Sequence, residues 1–160
     1  IIFGIGGALI ALVGTNYGAG NFKESLQYAW KGTMVTVILV GIIGTFFFLY
    51  PNLWAELFSN NEKVISITRQ YLKIVGICYP FFALGLGLYF VCQAFNTLLW
   101  PVLGTLLRLI TIIILCLLLK YYEAFTYQNT LLVFAFSIMV YGVFIASSLH
   151  FGPWKKISQY

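Results

Sequence analysis

Three polar side chains recur along one face of a long apolar segment. Tyr89, Gln93 and Asn96 stand at positions i, i+4 and i+7, which places them on the same side of a helix. Tyr79 precedes them, next to Pro80, whose missing N–H can kink a helix. Uncharged polar groups in hydrocarbon are costly without partners or water, so we expect this face to point into the protein. The four polar residues indicate either interhelical hydrogen bonds or a water-filled path, and they are candidates for lining a substrate cleft.

Arg108 is the sole charged residue in the next apolar segment. It follows Pro101, a residue well placed at a helix start, by about two helical turns. An arginine at this position must snorkel to the nearer membrane interface, form a pair, or face an aqueous cavity. Snorkelling is the least costly of these, and the cavity makes Arg108 a fifth candidate for the substrate cleft.

The residue sets that enzymes and metal sites require do not occur in the sequence. There is no Ser–His–acid set, phosphate-binding glycine loop or pair of carboxylates. The sole histidine, His150, falls at a predicted helix end, where we expect an interfacial position. Metal binding needs several converging His, Cys or carboxylate ligands, and these are missing. We therefore expect no enzymatic activity, no metal and no cofactor.

Composition places the chain in a lipid bilayer. Of its 160 residues, 61% are hydrophobic and 8% are charged, whereas soluble domains carry about 25% charged residues. The net charge is +5, with nine Lys or Arg against four Glu and no Asp. These basic residues stand singly near predicted helix ends, where they contact lipid headgroups. The expected partner is therefore the bilayer and not nucleic acid.

Long runs without any charged residue predict an all-α, polytopic membrane helix bundle. Such runs cover residues 32–55, 74–107 and 124–154, and a spanning helix needs about 20 apolar residues. We predict about five transmembrane helices, at residues 1–17, 28–50, 62–95, 101–119 and 130–150. The chain starts without Met inside an apolar stretch, so we expect its first helix to be cut and the chain to be part of a longer protein.

Short polar segments between the spans predict interfacial structure. Residues 53–58 form an amphipathic piece suited to the membrane surface, with Trp54 as a headgroup anchor. Ser59 and Glu62 have the spacing of a capping box at the start of the third span. Residues 153–156 have the pattern of an interfacial stop after the last span.

Small residues recur along the first span at steps of three and four. They are Gly4, Gly7, Ala11, Gly14 and Gly18, which line one helix face. Because lipid provides no hydrophobic drive between helices, close backbone approach through small residues commonly holds them together. The stripe predicts a tight helix–helix seam, and a flexible hinge is the alternative.

Four motifs in order resemble the multidrug and toxic compound extrusion (MATE) transporter family. Residues 14–20 resemble its Gly-x-x-x-Gly-Ala-Gly signature, with Gly14 at the first position and Gly18, Ala19 and Gly20 at the last three. Residues 57–64 resemble its Leu-Phe-x-x-(Asp/Asn)-x-x-Val segment. Residues 71–74 resemble its Tyr-Leu-x-Ile, followed by Pro80, and residues 93–96 stand where members often have Gln-Gly-x-Gly. Pro101 and Arg108 then follow at familiar distances.

The resemblance implies a two-lobed exporter of which this chain is one part. Members have twelve helices in two six-helix lobes and export organic cations or other amphiphiles by antiport against sodium ions or protons. The chain would be most of the second, C-terminal lobe, and its partners would be the first lobe of the same polypeptide and a small amphiphilic or cationic substrate. We expect a multi-pass protein of the bacterial inner membrane, working by alternating access.

At two places the sequence departs from the family pattern, and there the resemblance does not assign a role to this chain's residues. Some members place a cation-binding carboxylate on the helix that matches residues 71–95, but this chain has no acidic residue there. The residues that would bind a coupling sodium ion or proton are therefore unknown. Both glycines of Gln-Gly-x-Gly are also replaced, by Ala94 and Asn96.

Two other functions remain open from sequence. A relative in the same superfamily flips lipid-linked sugars, but such transporters line the cavity with several cationic residues, and only Arg108 is available here. A non-transporting membrane scaffold would use every polar residue for interhelical hydrogen bonds. Energised efflux of a fluorescent cation separates the exporter from both.

Overall fold

The apolar segments fold into helices. The computed structural model describes the backbone of residues 1–151 and side chains as far as Leu149, and this part of the chain is all-α. The predicted interfacial stop at residues 153–156 and the side chain of His150 lie outside the described residues. The elements are α1 (Ile2–Gly18), α2 (Phe22–Leu49), α3 (Pro51–Phe58), α4 (Glu62–Val75), a 3₁₀ turn (Gly76–Cys78), α5 (Tyr79–Ala94), α6 (Leu99–Tyr121) and α7 (Tyr127–Phe151).

Helix length and surface chemistry make this an all-α membrane helix bundle, as predicted. Among the described residues, four helical segments are long and apolar enough to cross a membrane: α2, α4 with α5, α6, and α7. Helix α1 is apolar but shorter. Only 6% of the most apolar stretch of α6 is buried, and Ile, Leu and Phe side chains cover much of the exposed surface. In water this surface would be a large aggregation hazard, whereas in lipid it is solvated.

Three of the described helices begin earlier than the predicted spans. Helix α2 starts at Phe22 instead of about residue 28, because charged residues such as Lys23 and Glu24 are excluded from hydrocarbon but not from a helix. Helix α6 starts at Leu99 instead of residue 101, so Pro101 is its third residue. The missing N–H of Pro101 costs nothing there, since the first four N–H groups of a helix lack helical acceptors. Helix α7 starts at Tyr127 instead of residue 130.

The predicted third span is interrupted where its proline occurs. Pro80 has no N–H to donate to the carbonyl of Gly76, so the α-helical pattern breaks and the Tyr79 N–H bonds to Gly76 instead. The helix is therefore interrupted by a 3₁₀ turn next to Pro80, where the sequence predicts a kink. Helix α2 passes directly beside this break at Gly44, where a Cβ atom would lie 2.5 Å from the Gly76 oxygen.

A short helix, α3, covers the segment predicted to be interfacial, but the predicted capping box at Ser59 and Glu62 is wrong. The residue that caps α4 is Asn61, whose Oδ1 accepts a hydrogen bond from the Lys63 N–H at 3.0 Å. Ser59 Oγ accepts a hydrogen bond from the Asn61 N–H at 3.1 Å, and this bond helps to hold the capping residue in position. Asn is as strong an N-cap as Ser, and its position next to the helix decides between them.

The predicted small-residue seam of α1 is also wrong for the described chain. Cβ atoms added at Gly4, Gly7 or Gly18 would meet nothing within 4 Å, and one at Gly14 would touch only Ala94, at 4.0 Å. This face is largely exposed.

A different face of α1 is buried. It carries Gly6, Leu9 and Val13, which pack against α2 and α5. A buried hydroxyl ties the first two helices together, since Ser25 Oγ donates to the Val13 carbonyl at 2.9 Å. The Leu9 side chain fills the space over Gly32, where a Cβ atom would collide with it.

Glycines set the closest approach between α5, α6 and α7. A Cβ atom at Gly85 would overlap the Tyr141 ring, and one at Gly142 would overlap the carbonyl of Phe81. At Gly104, the side chain of Ile145 would lie 3.1 Å away. The contact at Gly142 is with the Phe81 backbone, which cannot move as a side chain can. Backbone proximity of this kind replaces the hydrophobic drive that lipid does not provide.

We predict that Gly142→Ala destabilises the protein by about 1–3 kcal/mol, because the new methyl group has no space beside Phe81. Gly41→Ala is the matched control, since its Cβ atom would meet only the Pro80 ring, at an ordinary 3.5 Å. It should be neutral or stabilising by up to about 1 kcal/mol, as expected for Gly→Ala within a helix. The measurement is the melting temperature of the purified protein in detergent. Equal melting temperatures for both variants would contradict the packing described here.

Candidate functional site

The most prominent candidate site is an apolar, partly open cavity of about 660 Å³ between the helices. This volume lies within the range of 300–1,000 Å³ that is typical of small-molecule sites. Five helices of the chain and the start of α1 contribute to its wall. The lining residues are Ile1, Ile2, Phe3, Val40, Ile43, Tyr71, Val75, Tyr79, Phe82, Leu86, Arg108, Phe134 and Ile138.

Arg108 lines this cavity, and its side chain extends away from the nearer end of its helix. The contact of Gly104 with Ile145 sets the antiparallel register of α6 and α7, so Arg108 lies about level with Tyr141. Its guanidinium carbon nevertheless lies 5.1 Å from the ring centroid of Phe134. Phe134 precedes Tyr141 by seven residues, or about 10 Å, along α7. The Arg108 side chain thus extends toward the C-terminal end of α6 and away from Leu99, which is the nearer end of that helix. The structure therefore does not support the snorkelling expected from sequence.

Tyr79 lines the same cavity as Arg108, but Tyr89 and Gln93 do not belong to its described wall. Gln93 Nε2 donates a hydrogen bond to the Tyr89 hydroxyl at 2.7 Å, and both side chains are half-buried. The i, i+4 spacing of these two residues thus produces a contact within α5. The structure divides the predicted cluster into a cavity pair and a separate hydrogen-bonded pair.

Asn96 lies apart from both pairs, exposed at the end of α5. Its φ angle is +53°, in the left-handed region where Asn is tolerated better than most residues. The Asn96 N–H bonds to the Gln93 carbonyl, and the Thr97 N–H bonds to the Cys92 carbonyl. These two bonds make a Schellman motif, which terminates a helix. The backbone explains why a glycine of the family motif can be replaced by Asn here.

The Gly18-Ala19-Gly20 signature forms the same kind of helix end. Gly20 has φ +80°, its N–H bonds to the Tyr17 carbonyl, and the Asn21 N–H bonds to the Asn16 carbonyl. Glycine at Gly20 is thus required by backbone conformation. Neither Gly18 nor Gly20 has a neighbour that a Cβ atom would meet, so the motif ends α1 without forming a packing contact in the described chain.

Sequence reasoning missed most of the cavity wall. Tyr71, Val75, Tyr79, Phe82 and Leu86 are spaced by four, four, three and four residues, so they share one face of α4 and α5. That spacing was available in the sequence. It did not indicate a cavity wall, because four of the five are apolar or aromatic residues of the kind that fill any apolar run. Phe134 on α7 could be found only from the packing of α7 against α6.

Acidic residues are absent from the cavity as described. The four glutamates of the chain are all exposed, and each lies at a helix end, in a loop or in the short helix α3; they are Glu24, Glu56, Glu62 and Glu123. The described residues also contain no cluster of His, Cys, Asp or Glu that could hold a metal ion.

Comparison with known proteins now decides the family. The MatE family model matches residues 1–118, which include the cavity residues of α1 to α6. The chain belongs to the MatE family. This is the family of multidrug and toxic compound extrusion transporters that the sequence motifs resemble. The prediction of family membership is therefore confirmed, and with it a multi-pass integral membrane protein.

A curated relative of this MatE chain is the probable multidrug resistance protein NorM of Thermotoga maritima. The two are 29% identical over 82 residues. The matched segment is 51% of this chain and 18% of the relative. The comparison thus covers a small part of that protein's length.

We predict that Asn96→Gly leaves stability unchanged or raises it by up to about 1 kcal/mol, whereas Asn96→Val lowers it by about 1–2 kcal/mol. Glycine adopts a positive φ without strain, and a β-branched residue does not. The measurement is again the melting temperature in detergent. If Asn96 instead contacts substrate, the glycine variant would lose transport at an unchanged melting temperature, which would contradict a purely helix-capping role.

Proposed function

We propose that this MatE chain is part of a secondary active exporter of organic cations or amphiphilic drugs, and so of a transporter and not an enzyme. The single observation that carries the proposal is the cavity of about 660 Å³, since it is apolar, partly open and of ligand size. Family membership and the name of the Thermotoga relative support the same activity. The cavity lies where several helices meet, which is where bundle transporters hold their substrates.

In this proposal, the chain contributes most of one lobe and another part of the same polypeptide contributes the other. Alternating access would come from the two lobes rocking about a central cleft in the bacterial inner membrane. Export would be driven by sodium ions or protons. Because the glutamates of this chain are exposed and lie outside the cavity, we place the coupling residue in the other part of the protein.

The alternatives are less well supported by the cavity. A flippase for lipid-linked sugars would need several cationic residues to bind a pyrophosphate, and Arg108 is the one cation in the described wall. A scaffold would have no use for an unfilled interior space of this size, since helix packing in membranes favours close contact.

Filling the cavity tests the proposal. In the full-length protein, Ile43→Trp adds bulk to a lining residue, and Ile42→Trp adds the same bulk next to it on a surface that is 63% exposed. We predict that Ile43→Trp lowers energised efflux of ethidium by about tenfold, equivalent to about 1.4 kcal/mol of lost binding. Ile42→Trp should match the wild type at equal expression. Equal efflux by the two variants would show that substrate does not pass through this cavity.

A further inference from the structure

Arg108 brings a positive charge into the cavity without a counter-charge from the described chain. Its Nε atom is buried and has no hydrogen-bond partner there. No carboxylate is among the lining residues, and the four glutamates of the chain are exposed elsewhere. The guanidinium carbon lies 5.1 Å from the centroid of the Phe134 ring, and Arg108 also interacts electrostatically with Tyr141, which carries no negative charge when protonated.

The aromatic ring does not compensate fully for this charge. A cation–π contact satisfies no N–H group and is weaker than a charged hydrogen bond. A charge taken out of water in an apolar environment normally acquires a partner. Arg108 therefore keeps donor capacity directed into a space that a ligand can enter.

The remaining wall determines what kind of ligand would fit. Apart from Arg108 and the two tyrosines Tyr71 and Tyr79, every described lining side chain is apolar. A guanidinium offers five N–H donors in a planar fork that matches a carboxylate or phosphate group. An apolar tail would lie against residues such as Val40, Phe82 and Ile138. A cationic headgroup would face a like charge, which weakens its binding relative to an anion although the same wall still holds its apolar part.

We propose that this cavity binds amphiphiles with an anionic headgroup, which Arg108 holds while the apolar wall holds the tail. The inference rests on the proposed export function and narrows its substrate class. A carboxylate-headed or phosphate-headed amphiphile has the required chemistry, and it can come either from the surrounding lipid or from a free compound.

Binding of matched probes to the full-length protein tests this. In nanodiscs of phosphatidylcholine, laurate should bind at least about tenfold tighter than dodecylammonium, a ratio typical of one charged hydrogen-bonding group. Arg108→Gln should abolish that ratio. Arg69→Gln is the matched control, because Arg69 is the other arginine of the chain and is exposed on α4.

The ratio of laurate binding to dodecylammonium binding is measured on the wild type, so it tests the proposal even if Arg108→Gln fails to fold. Equal binding of the two probes, or tighter binding of dodecylammonium, would overturn the proposal and indicate that a carboxylate outside the described residues neutralises Arg108. A ratio that persists in Arg108→Gln would overturn it as well. Loss of the ratio in Arg108→Gln alone would support it.

Native mass spectrometry distinguishes the two sources of ligand. A phospholipid that co-purifies with the wild type, is displaced by laurate and is lost in Arg108→Gln identifies lipid as the occupant. Laurate binding without a co-purifying phospholipid identifies a free amphiphile. Either result supports the proposed chemistry. Anion-selective binding without any energised efflux would refute the export function alone, whereas ethidium efflux without anion selectivity would refute this inference alone.

Discussion

The structure depends on the close approach of helix backbones at glycines. In lipid, apolar side chains gain little by leaving their surroundings, so helices associate through van der Waals contact and hydrogen bonds. Gly142 beside the Phe81 carbonyl and Gly44 beside the Gly76 carbonyl bring α7 and α2 directly against the kinked α4–α5 segment. The cavity lies between the same helices, bounded by larger side chains.

The kink links packing to the site. Pro80 forces the 3₁₀ turn at Gly76–Cys78, and cavity residues lie on both sides of it, including Tyr71 before and Phe82 after. Helix α6 packs mainly on α7 and exposes most of its surface. Arg108, the charged residue in the middle of this helix, nevertheless lines the cavity. Even a half-buried cation costs free energy in an apolar setting, and such a cost is typical of residues kept for function.

Sequence alone predicted the architecture well because the bilayer imposes a simple rule on it. Long charge-free runs predicted the helix bundle, and Pro80 predicted the break. Packing faces were harder to predict. The glycine stripe of α1 was regular, yet the buried face carries Gly6 and Leu9, because the partner helix decides which face is covered. Among the site candidates, Tyr79 and Arg108 meet in one cavity, while Asn96 caps a helix; periodicity does not contain such three-dimensional information.

The central claim is that position 108 faces an interior cavity. Its most direct test is the aqueous accessibility of a cysteine placed there, in full-length protein whose Cys78, Cys92 and Cys116 have been replaced. Arg108→Cys should react with a membrane-impermeant methanethiosulfonate reagent. Leu109→Cys, at nearly the same depth but on a surface that is 52% exposed, should not react, because that surface faces lipid. Equal reactivity at both positions, or none at position 108, would contradict this account.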